Sequence, residues 1–139
     1  MIETHELVKQ FGNATAVDRL TLSVPRGEIF AFLGPNGAGK TTTVRMLACL
    51  IAPTSGQATV AGHDVAREQD AIRSRIGILT EAPGLYEKLS AAQNLTFFAK
   101  LYGLPSATQD KQVRRYLELL GLWARRDEPC AKSYRRRHR

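Results

Sequence analysis

Apolar side chains along this chain fall in short blocks over the first half and in helical stripes over the last third, so two kinds of architecture are predicted in order. Leu7-Val8 and Leu22 within residues 21–24 read as short antiparallel strands around the turn-prone Gly12-Asn13, and Pro25-Arg26-Gly27 makes a second turn into an apolar strand at 29–33. Residues 41–51 then change to helical period, with Val44, Leu47 and Ile51 on the face expected to be buried and a stop at Pro53 and Gly56. Residues 57–61 return as a strand. Residues 64–75 are polar with weak helical character, and 76–79 read as a short buried strand. Beyond Gly84 the pattern is helical: Ser90 and Gln93 spell a capping box ahead of a stripe of Leu95, Phe98 and Tyr102 that ends at Gly103. Ser106 and Gln109 repeat that spelling before a stripe of Val113, Leu117 and Leu120, ended by Gly121.

Between the strand at 29–33 and the first helix, residues 34–42 read Gly-Pro-Asn-Gly-Ala-Gly-Lys-Thr-Thr. This is the complete G-x-x-x-x-G-K-[ST] pattern of a phosphate-binding loop in the strand-to-helix context that such a loop needs. Gly34, Gly37 and Gly39 allow successive backbone N–H groups to turn inward around a polyphosphate, and the helix that follows adds the positive end of its dipole. Lys40 is placed to reach β- and γ-phosphates, Thr41 to offer a hydroxyl to a phosphate-bound Mg²⁺, and Thr42 to make a second phosphate contact. An ordinary glycine-rich turn with a solvated lysine would have no need of all these residues at fixed offsets.

Composition narrows the class only a little. With 43% hydrophobic and 24% charged residues the chain is ordinary globular material, and no apolar run approaches the roughly 18 residues of a membrane span. The N-terminal Met-Ile-Glu-Thr-His-Glu lacks the basic and apolar regions of a secretory leader, which predicts a cytosolic chain or one held at a membrane by a partner. Cys49 and Cys130 stand far apart without C-x-x-C spacing and read as reduced, structural thiols. The net charge of +7 is mostly local: residues 125–139 hold seven Lys/Arg against two Asp/Glu, leaving thirteen against eleven, a net of +2, for residues 1–124. The body of the chain is thus not the basic surface of a nucleic-acid binder, and no nucleic-acid partner is expected.

The residues flanking the phosphate loop carry a more specific resemblance. Leu7-Val-Lys-Gln-Phe-Gly12, Ala16-Val-Asp18, Leu22-Ser-Val24 and Gly27-Glu-Ile29 precede the loop. Pro53-Thr-Ser-Gly56, Ala61-Gly62, Ile76-Gly-Ile-Leu79, Pro83-Gly-Leu-Tyr86, Ser90 and Asn94-Leu95 follow it. Together they resemble the N-terminal part of an ABC-type ATPase domain over about 130 residues. The fold so implied is α/β, a phosphate-loop NTPase of ABC type: an antiparallel β-subdomain and a partial, mostly parallel core sheet, followed by a helical subdomain. Residues 1–86 would form the nucleotide-binding core, 87–130 the helical subdomain through which the family meets its membrane partner, and 131–139 a basic, disordered tail.

The resemblance implies ATP and Mg²⁺ as ligands. Nucleotide contacts would come from Phe11, Val17, Gly34, Asn36, Gly37, Ala38, Gly39, Lys40, Thr41 and Thr42, and metal contacts from Thr41 and Glu81. Phe11 matches the aromatic residue that stacks on the adenine; from the residues alone it reads equally as a plug in a small core near Val17. Glu81 stands where the family usually has glutamine, which keeps a metal-binding oxygen but adds a negative charge beside the γ-phosphate. The implied partners are a transmembrane permease subunit and a second ATP-binding subunit, identical or paired, at the cytoplasmic face of a membrane. The 81–86 stretch resembles exporters of multidrug, antibiotic or ion type. A soluble ABC-type ATPase of translation or DNA repair is the competing class, together with a nucleotide-binding remnant without catalysis.

The match fails after Tyr134. The family would continue with a Ser-x-Gly-x-x-Gln-like signature and an apolar strand ending in Asp-Glu, whereas here Ala131-Lys-Ser-Tyr is followed by Arg-Arg-Arg-His-Arg139. The basic run reads either as an arm for nucleic acid or acidic lipid, or as the end of a frame-shifted or truncated chain, and the abrupt loss of the match favours the latter. The expectation is therefore a chain that cradles nucleotide without completing hydrolysis. Its strand at 29–33 would lack a neighbour on one edge, leaving apolar surface exposed and stability marginal.

Overall fold

The computed structural model describes residues 1–79 and 84–131. The chain divides into two compact units, Met1–Leu79 and Thr80–Arg139. Glu81 and the tail from Lys132 onward, with Ser133, Tyr134 and the basic run, lie outside the described residues.

The first unit is built on an antiparallel sheet. Strand β1, Ile2–Phe11, and strand β2, Ala14–Val24, form a hairpin around Gly12-Asn13, and β3, Ser55–Val60, pairs with the other edge of β1. The short β4, His63–Asp64, completes the order β2-β1-β3-β4. Both strands of the hairpin run beyond the apolar blocks that announce them, because Glu, Thr and Gln on a solvent face still pair through the backbone. Thr4 and Leu7 are both buried although an odd spacing places them on opposite faces of a regular strand. A register shift between them, with Glu6 at φ 47°, turns both inward, and the buried Thr4 hydroxyl donates to Leu20 O at 2.9 Å. Gly56, at φ 80°, lies against this bulge, where a Cβ would run into the Glu6 carbonyl oxygen.

Helix α1, Lys40–Leu47, and the short α2, Gln69–Arg73, pack on this sheet around Leu7, Val17, Met46, Leu47, Cys49, Ala58, Val60, Val65 and Ile72. The buried face of α1 differs from the expected one. Val44 is 41% exposed, and Thr43, Met46 and Leu47 point inward instead. Two helical stripes share Leu47, and the one containing a threonine is hidden because the Thr43 hydroxyl bonds Gly39 O at 2.9 Å. The helix also ends before Ile51. Leu50 N donates to Arg45 O and Cys49 N to Met46 O, both at 2.9 Å, closing a Schellman motif with Cys49 at φ 57° in the place usually held by glycine. Burial raises the Cys49 thiol pKa, opposed by the nearby Arg73 guanidinium.

The strands expected at 29–33 and 76–79 are not formed: both segments are irregular, so the described sheet is antiparallel throughout and the parallel core sheet is not among its pairings. A strand exists only through lateral hydrogen bonds, and neither segment has a neighbour among the described residues. Ile76 still packs against the core, whereas Ile29 is fully exposed and Leu33 and Leu79 are each 91% exposed.

In the second unit α3, Ala91–Leu101, and α4, Ser106–Leu119, form a helical hairpin followed by a 3₁₀ turn, Trp123–Arg125. The capping box is as read: Gln93 N donates to Ser90 Oγ at 3.2 Å and Ser90 N to Gln93 Oε1 at 2.9 Å. Its counterpart at Ser106 is absent. Pro105 takes the N-cap position, Ser106 is already helical, and Gln109 Nε2 donates instead to Leu104 O at 2.6 Å. Val113 and Leu117 are buried as expected, while Tyr102 and Leu120 cap the ends of α3 and α4 and face solvent. The buried Asn94 ties the preceding segment to α3, accepting from Tyr86 N at 2.9 Å and donating to Tyr86 O at 3.0 Å and Ser90 O at 3.1 Å. Replacing Ser90 by Ala should lower stability by about 1 kcal/mol, the usual value of a lost N-cap. Asn94→Ala removes a buried side chain and leaves Tyr86 N without its acceptor, while Tyr86 O and Ser90 O keep the Leu89 and Asn94 backbone N–H groups, and should cost about 1–3 kcal/mol. Urea unfolding followed by circular dichroism reads both.

Candidate phosphate-binding site

The loop at residues 34–39 is positioned by α1 behind it and by β2 beside it. Gly39 is the N-cap of α1 at φ 79°, with no side-chain cap and no acidic residue in the first turn. The leading N–H groups of the helix are consequently left for an anion. Beside the loop, β2 carries a bulge: Lys9 pairs with Val17 and Gln10 with Thr15, so Ala16 is the extra residue. Its carbonyl abuts Gly39 so closely that a Cβ there would run into it, and Val17 Cγ2 would lie 3.1 Å from the same Cβ. The third glycine of the loop is therefore fixed twice, by its left-handed backbone and by the approach of β2.

Lys40 Nζ reaches back over the loop and donates to Gly34 O at 2.7 Å and Pro35 O at 2.6 Å. Thr43 is held by Gly39 O through both its backbone N–H, at 2.8 Å, and its hydroxyl. The exposed Thr41 and half-buried Thr42 hydroxyls, and Asn36, have no hydrogen-bond partner among the described residues. Val17, Ala38 and Lys40 border a cleft of about 200 Å³ together with Ala16, Phe32 and Thr43.

The structure thus brings Val17, Ala38, Gly39 and Lys40 together, with Gly34, Asn36 and Gly37 in the same loop and Thr41 and Thr42 on the first turn of α1. Phe11 stands apart at the end of β1. It is 53% exposed and outside the core, which removes its reading as a core plug. Ala16 and Thr43 are additions that the sequence reading passed over. Thr43 carried a signal, since it stands four residues after Gly39, at the spacing for a hydroxyl-to-carbonyl bond. Ala16 carried none, because a bulge is set by pairing. Among the described residues no group of three or more His, Cys, Asp and Glu is arranged to hold a metal ion. A divalent cation here would depend on the free Thr41 oxygen and on oxygens that a polyphosphate brings, a donor set suited to Mg²⁺.

Residues 17–136 match the family model described as ABC transporter. The chain belongs to this family. An ABC ATPase domain binds nucleotide, in keeping with the open helix terminus and the lysine beside it. Among curated relatives, the probable multidrug ABC transporter ATP-binding protein YbhF of Escherichia coli is 44% identical over 122 residues, 88% of this chain and 21% of its own length. The bacitracin transport ATP-binding protein BcrA of Bacillus licheniformis is 43% identical over 88% of this chain and 39% of its own. The daunorubicin/doxorubicin resistance ATP-binding protein DrrA of Streptomyces peucetius is 42% identical over 91% of this chain and 38% of its own. The chain therefore spans between about a fifth and two-fifths of these relatives. A solved ATP-binding subunit of an ABC transporter superposes with a TM-score of 0.74 at 30% identity, over 92% of this chain and 53% of that one. CbiO1 of Clostridium perfringens, part of the cbiONQ ABC transporter complex, superposes with a TM-score of 0.78 at 27% identity and the same coverage. These relatives confirm the phosphate-loop NTPase fold of ABC type at the level of the family.

The contact between Gly39 and Ala16 predicts a separation of stability from ligand chemistry. Gly39→Ala should destabilise the chain by about 1–3 kcal/mol through strain and overlap. Lys40→Ala, which removes a half-buried side chain bonded only to loop carbonyls, should stay within about 1 kcal/mol of the parent. Chemical denaturation without nucleotide distinguishes the two.

Proposed function

We propose that this chain is the ATP-binding part of an ABC exporter, taking Mg²⁺-ATP at the phosphate loop and acting with a transmembrane permease. The observation that carries the reading is the uncapped start of α1 behind Gly39, with the Lys40 ammonium resting on carbonyls of the same loop. A triphosphate satisfies both: its oxygens accept from the open helix N–H groups, and Lys40 exchanges the Gly34 and Pro35 carbonyls for β- and γ-phosphate oxygens. Thr42 adds a hydroxyl to the phosphates, and Thr41 supplies one oxygen to Mg²⁺, which otherwise keeps phosphate oxygens and waters. Glu81 is the further metal oxygen that the family resemblance assigns.

Phe11 provides the base end. Phe11 pairs with Ala14, two positions along β1 from the Lys9–Val17 pair. Strand geometry then puts its backbone roughly 8 Å from Val17, which borders the loop. That gap suits a ribose between a stacked base and the bound phosphates. Export is supported by the relatives, whose names concern multidrug transport, bacitracin transport and daunorubicin/doxorubicin resistance. A permease partner and a second ATP-binding subunit follow from the same kinship, and would hold the chain at the cytoplasmic face of a membrane. No helix among the described residues is long and apolar enough to cross one.

Titration of the purified chain with a fluorescent ATP analogue tests the reading. Affinity should fall at least about tenfold in Lys40→Ala, the value of a lost charge-assisted pair. Chelation of Mg²⁺ should weaken binding to the parent more than to Thr41→Ala, which lacks one of the two protein oxygens assigned to the metal. Phe11→Ala should weaken ATP and GTP alike by about tenfold, as loss of base stacking does. Undiminished binding by Lys40→Ala would refute the site.

A further inference from the structure

Lys9 occupies an unusual position for a lysine on a strand. Its side chain lies on the same face as Phe11, two residues on, and its ammonium stands 5.0 Å from the centre of the Phe11 ring. The ammonium is also fixed from behind, donating to Ala52 O at 2.7 Å. The backbone on either side is tied to the same segment: Thr54 N donates to Val8 O at 2.8 Å, and Gln10 N donates to Thr54 Oγ1 at 3.0 Å. One face of a half-exposed aromatic ring is thereby covered by a cation that is itself anchored. A solvated lysine would have no such anchor.

We propose that Lys9 is a positioning residue for the nucleotide base: held on the Ala52 carbonyl, its ammonium covers one face of Phe11 and leaves the opposite face as the stacking platform. This rests on the base-stacking role proposed for Phe11. The cation draws π-electron density toward itself and leaves the far face better matched to an electron-rich purine. It also limits the ring's rotation, so less freedom is lost when a base arrives. Because Lys9 pairs with Val17, whose side chain borders the phosphate loop, the platform is set in register with the triphosphate site.

The experiment compares ATP with inorganic tripolyphosphate, which has no base, on the full chain. Lys9→Met keeps the apolar stem and removes the charge. It should weaken ATP about two- to fivefold, the scale of an exposed cation–π contact, and leave tripolyphosphate unchanged. Lys9→Arg, which restores a cation over the ring, should return ATP affinity to the parent value, and in a Phe11→Ala background Lys9→Met should have no further effect. Equal loss of ATP and tripolyphosphate in Lys9→Met would show a merely structural role and overturn the proposal. So would unchanged ATP binding in Lys9→Met where Phe11→Ala weakens it. If Phe11→Ala itself leaves ATP binding intact, the stacking role fails and Lys9 loses its function with it, while the Lys40 result still stands or falls separately.

Discussion

The first unit hinges on the contact between Gly39 and the bulged strand β2. The Ala16 carbonyl can sit where a side chain would otherwise be only because residue 39 has none, and this close approach sets where α1 begins. From that start the positions of Thr43, Met46 and Leu47 in the core follow by helical geometry. The Schellman ending at Cys49 then turns the chain back, and the segment 52–54 reaches the far end of β1, where it grips Lys9 and Gln10. A single stretch of backbone thus links the phosphate loop to the end of β1 that carries Phe11.

Features spelled by local chemistry were readable in advance. The phosphate loop, the hairpin at Gly12-Asn13 and the capping box at Ser90 each depend on residues within a few positions of one another. Ser106 and Gln109 carry the same letters without the same outcome, since Pro105 begins the helix one residue earlier and Gln109 finds Leu104 O. The choice between Val44 and Thr43 as a buried position likewise turned on a hydrogen bond to Gly39, which no count of apolar residues includes.

The strands expected at 29–33 and 76–79 mark the boundary of that legibility. Their composition suits a buried strand, but a strand is a property of two segments and composition describes one. Without a lateral partner among the described residues, Ile29, Leu33 and Leu79 keep their side chains in solvent. Phe11 shows the same dependence in the opposite sense: its sequence neighbours fitted a core plug, and only the register of β1 against β2 leaves it outside.

The two carbonyls beneath Lys40 give the loop a built-in competitor. In the free chain two of the three ammonium N–H groups are already bonded to Gly34 O and Pro35 O, so an arriving anion meets one open donor and must displace these carbonyls to gain the others. A lone phosphate offers few oxygens for that exchange after the helix N–H groups have taken their share, whereas a chain of three phosphates supplies acceptors to both. On the proposed reading, the loop would favour ligands by how many oxygens they present at once.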